Sequence, residues 1–208
     1  MKRLLVFAFF ISVVSQLQSQ DSLRWNLTND GGIEWGVKEK DSHMDHIEMS
    51  GMYLSVIVHY GVNNGKLKQK VHLVFPNLRT IPNDTHGSLA HKIDYDSLGQ
   101  IKVNGKAISE EPDKFYIKGI LGYQSNTAEG VEIKHQLFPS TDKTVFIDII
   151  EIRNSTNQPV EIELPKIEMS HKTEAEKGVR GVYSISVVSN KYGIYNVKPN
   201  ESLDYALI

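Results

Sequence analysis

From residue 52 onward the chain is written in short β-branched and aromatic runs broken by Asn-Gly and proline turns, and no stretch repeats its apolar residues at helical spacing. Such a chain has one way to bury its apolar side chains, which is to pair strands and stack the resulting sheets. The runs 52–60 (MYLSVIVHY) and 68–75 (KQKVHLVF) flank Asn63-Asn64-Gly65, residues that tolerate the positive φ of a tight hairpin turn. A strand over 88–95 follows, and then Asn104-Gly105 separates two short runs at 101–103 and 106–108. The next pair is 115–123 and 131–138. In the second of these, Val131, Ile133 and Leu137 alternate with Glu132, Lys134 and Gln136, as in a strand with one wet face. The run 144–153 (TVFIDIIEIR) differs, because Val145, Ile147 and Ile149 share one phase while Phe146, Ile150 and Ile152 share the other. It predicts a strand covered on both faces, in the middle of stacked sheets. Further strands are predicted at 160–168 and 183–188, and 173–177 holds one helical turn at most. The expected fold is all-β, a large antiparallel sandwich forming one domain over 21–208.

The first twenty residues are of a different character. Lys2 and Arg3 precede an apolar run at 4–14 and a Ser/Gln-rich stretch at 15–20, the layout of a secretory signal and too short to span a bilayer. The expected location is therefore periplasmic or secreted, with no membrane association after cleavage near Gln20. There are no cysteines, so neither a lipid anchor at that position nor disulfides are expected, and core burial must hold the fold. Lys and Arg number 23 against 25 Asp and Glu, giving a net charge of -2 with no basic stripe. That balance argues against nucleic acid as a partner. The final run, 203–208, stops within a predicted strand, and a further domain is expected beyond it.

Two blocks carry a resemblance. The first is Asp45-His46-Ile47-Glu48-Met49-Ser50-Gly51 with the strand that follows it. The second is 75–89 (FPNLRTIPNDTHGSL), supported by 145–160. Together they resemble the N-terminal β-sandwich of bacterial six-hairpin glycosidases, the glycogen-debranching-like and rhamnosidase-like enzymes. The resemblance implies a galactose-mutarotase-like supersandwich that packs against an (α/α)6 barrel carrying the general acid and base. On that reading the chain is a non-catalytic module of an exported glycoside hydrolase, with carbohydrate or the catalytic barrel as partner and no cofactor. The alternative is a stand-alone carbohydrate-binding or surface-interaction sandwich.

Candidate residues follow from chemistry. Glycoside hydrolysis ordinarily uses two carboxylates that oppose each other across the scissile bond. Glu110 and Glu111 are adjacent beside Pro112 and read as a solvated acidic turn. Asp45 and Glu48 would face opposite surfaces of a strand. No catalytic residue is assigned. His46 and Glu48 share a strand face and, with His43 and Asp45, offer imidazole and carboxylate groups in a short span. Hydrogen-bonded or interface polar groups fit that spacing better than a metal site. The loop with Arg79, Asn83, Asp84 and His86 is stiffened by Pro76 and Pro82. It presents mixed donors and acceptors suited to domain docking or to sugar hydroxyls. A turn capped by Asp84 and Thr85 on their own backbone is the equally weighted alternative. Trp25, Trp35 and Tyr53 read as core aromatics rather than a sugar-stacking platform.

Overall fold

The computed structural model describes residues 23–84 and 86–208, so the secretory signal expected at 1–20 lies outside the described residues. Asn-Gly pairs set two of the hairpins. Asn64 and Gly65 take φ of 50° and 76°, and Asn104 and Gly105 take 51° and 78°, the left-handed pairs that two-residue turns require. Strands in chain order are β1 (Asn26–Leu27), β2 (Ile33–Gly36), β3 (His43–Ser50), β4 (Ser55–Asn63), β5 (Lys66–Arg79) and β6 (Ser88–Asp94). Then come β7 (Lys102–Val103), β8 (Lys106–Ala107), β9 (Glu111–Ile117), β10 (Leu121–Asn126), β11 (Val131–Pro139) and β12 (Phe146–Asn154). The last are β13 (Val160–Leu164), β14 (Glu168–Lys172), β15 (Ser184–Val188), β16 (Gly193–Val197) and β17 (Ser202–Leu207). The helical content of the described residues is two three-residue 3-10 turns, Tyr95–Ser97 and Ala175–Lys177. The predicted all-β architecture is what forms. Pro165 splits the strand expected over 160–168 into β13 and β14.

All strand pairs are antiparallel. A seven-stranded sheet runs in the order β1-β2-β9-β10-β11-β12-β17, and β3-β4-β5-β6 form a four-stranded meander. A second four-stranded sheet has the order β16-β13-β7-β8, and β14 with β15 makes a separate hairpin. Along β11 the residues Val131, Ile133, His135 and Leu137 are buried; along β12 they are Phe146, Asp148, Ile150, Ile152 and Asn154. These form one continuous face of the large sheet. Leu137 and Phe146 join an aromatic core with Trp35, Tyr60, Phe115 and the inner residues of the β3–β6 meander. Val131, Ile133, Ile150 and Ile152 join an aliphatic core with Val103, Val160, Ile162 and Val197 of the other small sheet. The two smaller sheets therefore sit side by side on the same face of the large one. Each large apolar side chain buried there is worth about 1.5–3 kcal/mol.

The doubly covered strand expected at 144–153 is corrected by β12. Its even phase is buried, while Ile149 on the odd phase stays 38% exposed. The reason is local: β12 lies next to the edge strand β17, and Ile149 is flanked in the sheet by Gln136 and Ala206. Apolar residues on that phase make cross-strand contacts within the sheet rather than an inter-sheet layer.

Candidate functional site

Where the two cores meet, the alternation along the central strands is interrupted by charge. His135 sits between Ile133 and Leu137 on β11, and Asp148 sits between Phe146 and Ile150 on β12, all on the inner face. The Nδ1 atom of His135 lies 3.1 Å from both Asp148 oxygens. Its Nε2 faces Glu110 Oε2 at 3.3 Å, an ion pair without hydrogen-bond alignment. Side-chain exposure is 4% for His135, 0% for Asp148 and 17% for Glu110.

With a carboxylate on either side, the imidazole is held as a cation. Burial alone would push its pKa down; attraction to Asp148 and Glu110 outweighs that and raises it to about 10. Burial raises the Asp148 carboxyl, with His135 opposing the rise. The Tyr123 ring lies over the imidazole, with centroids 4.3 Å apart and planes within 14°, a stacked geometry that favours the cation. Burial, and then the nearby carboxylates, lift the Tyr95 and Tyr123 phenols well above their usual range, so both stay neutral donors.

His135, Glu110 and Tyr123 form part of the floor of a cavity of about 560 Å³ opening along the seam between the two four-stranded sheets, with Asp148 buried behind them. The β4–β5 turn, with Asn63, Asn64 and Lys66, forms one rim, and the stretches 98–101 and 108–110 form the other. Ile150, Tyr205 and Leu207 extend the floor. Gln69, 4% exposed, lines this space, with its amide beside the Tyr95 hydroxyl. Neither Gln69 amide atom makes a well-formed hydrogen bond, and the buried Tyr123 hydroxyl has no partner. Leaving such a group unsatisfied costs about 1–3 kcal/mol. A second cavity of about 310 Å³ lies beyond Tyr95 and Leu98 and is lined largely by apolar residues such as Leu54, Leu73 and Phe75.

The sequence-derived candidates lie elsewhere. Asp45, His46 and Glu48 are on β3, with Asp45 accepting from Trp25 Nε1 at 3.2 Å. His46 and Glu48 share the exposed face, where the His46 ring is 5.7 Å from that of His59 on β4. Among the described residues no group of three or more His, Cys, Asp or Glu is placed to hold a metal ion. In the 79–88 segment, Arg79 donates from Nη1 to Ser88 Oγ at 2.7 Å. The Arg79 carbonyl accepts from the Tyr183 hydroxyl at 2.9 Å, and Asn83 takes a φ of 57°. Asp84 Oδ1 accepts the His86 backbone N–H at 2.8 Å, so the turn caps itself. None of these residues lines either cavity. Trp35 is a core residue, with Trp25 edge-on to it at 6.0 Å, whereas Tyr53 is 39% exposed.

Glu110 corrects the reading of 110–111 as a solvated turn, since its side chain turns inward to His135 while Glu111 stays exposed at the start of β9. His135 and Asp148 were missed altogether. Their signal was a polar residue standing on the apolar phase of each of two strands that follow one another in the chain.

No protein-family model, curated protein or solved structure matches this chain.

Proposed function

We propose that the chain is a non-catalytic β-sandwich module of an exported glycoside-hydrolase system, acting in carbohydrate processing beside an (α/α)6 catalytic domain. The observation that best supports this reading is how Asp148 and Glu110 are used. Both turn toward the same imidazole, and the His135 ring fills the space between them. A glycosidase needs that space for the sugar and one of the carboxylates free to protonate it. The resemblance of 45–60 and 75–89 to six-hairpin glycosidases supplies the carbohydrate context. The purified chain, incubated with aryl glycosides and oligosaccharides, is expected to release no sugar above background. Hydrolysis at enzyme-like speed that disappears in Glu110→Gln would overturn the reading.

The seam cavity favours a second reading, a sandwich that itself binds carbohydrate. Its size falls within the range of small-molecule sites, and it combines apolar walls with a few converging polar groups.

A further inference from the structure

We propose that the seam cavity is a ligand site for a small, uncharged, polyhydroxylated molecule of monosaccharide to disaccharide size. The choice of sugar rests on the carbohydrate reading above, whereas the existence of the site rests on the cavity and the buried polar groups that line it.

Buried polar side chains almost always find a partner, and a cluster that does not calls for one. Gln69 is 4% exposed and Tyr123 fully buried, yet the Gln69 amide and the Tyr123 hydroxyl make no formed hydrogen bond. Glu110 Oε2, 3.3 Å from the His135 cation, keeps a lone pair for a further donor. All three side chains line the same space. They offer an amide that donates and accepts, a neutral phenol that does either, and a carboxylate that accepts. Neighbouring hydroxyls, each both donor and acceptor, match that set; a purely accepting or purely donating ligand does not. Leu98, Ile101, Ile108 and Ile167 supply an apolar wall for the C–H face of a ring.

Charge narrows the class further. The His135 cation at the floor already faces two carboxylates, Glu110 in the wall and Asp148 buried behind the ring, so an anionic group placed at the floor would be repelled. At the mouth, Lys68 is paired with Asp96 at 2.9 Å, which leaves that lysine little to offer an anion, and Lys66 stands on the exposed rim, where water and salt screen its charge.

The test is an amide-resolved NMR titration of the chain with D-glucose, D-galactose, D-mannose and L-rhamnose, and with D-glucuronate as the charged probe. Shifts are expected to cluster at 66–69, 95–101, 108–110 and 123. Tyr123→Phe keeps the ring over His135 and removes only the hydroxyl, and Gln69→Leu removes only the amide. Each is expected to weaken binding roughly tenfold while circular dichroism shows a folded chain. Glucuronate is expected to bind at least about tenfold more weakly than glucose. Sugar shifts that map elsewhere and survive both variants would overturn the site while leaving the carbohydrate reading in place. No sugar shift, with small neutral amides or diols mapping to the cavity, would remove the sugar and keep the site. No shift from either set would overturn the site itself.

Discussion

Two aspartate–histidine pairs among the described residues differ chiefly in where they sit. Asp148 and His135 lie in the seam between two cores, 3.1 Å apart and almost wholly enclosed. Asp84 and His86 lie on the 79–88 loop, 3.6 Å apart, with the His86 side chain 96% exposed. In water the attraction of such a pair is mostly offset by hydration and side-chain entropy. In the seam, each charge depends on the other because solvent cannot replace it. The same two residue types thus cap a turn in one place and fix the interior in the other.

Asp148→Ala gives the largest expected effect. It removes the closer partner of a buried cation and should lower unfolding stability by about 3–5 kcal/mol in urea titration. A loss no greater than that of Asp84→Ala would break the comparison. Glu110→Gln comes next, at about 1–3 kcal/mol, because Glu110 retains some access to solvent. Its ring-nitrogen NMR signature should show His135 titrating at lower pH than in the parent.

The pH dependence sharpens the contrast. The folded state binds the His135 proton more tightly than the unfolded chain, where the imidazole titrates near 6.5. Its stabilisation is therefore complete below pH 6.5 and is lost as the pH climbs toward about 10. Asp148, also raised, acts in the same sense over its own window, its contribution falling as the pH rises above the ordinary 3.8 and gone once its folded value is passed. Urea midpoints should fall over that alkaline window, and a His135 ring that loses its proton in the neutral range would contradict the assignment. The smallest effect is expected for Asp84→Ala, within about 1 kcal/mol by the same urea measurement.

The fold was largely legible in the sequence because its rules are local. Asn64-Gly65 and Asn104-Gly105 dictate hairpins through φ alone, and the alternation of Val131, Ile133 and Leu137 marks an inner face. The doubly apolar run at 144–153 misled because periodicity reports side-chain type, not whether a neighbouring sheet exists to cover it. The seam site was hidden for a related reason. Glu110, His135 and Asp148 are dispersed along the chain, and only the β11–β12 pairing together with the turn before β9 joins them. Loop 79–88 drew attention through its polarity, but its donors and acceptors are largely engaged with their own backbone and with Tyr183.

The inward charge also works as a key for strand alignment. β11 and β12 pair over nine positions, with Leu137 opposite Asp148 and His135 opposite Ile150. A slip of one residue by either strand would turn its charged member outward and strand the other in hydrocarbon, since successive side chains alternate faces. A slip of two keeps the apolar pattern intact, and in the sense that sets His135 opposite Ile152 it draws imidazole and carboxylate apart. Hydrophobic matching alone barely distinguishes that misalignment from the native one; the ion pair does.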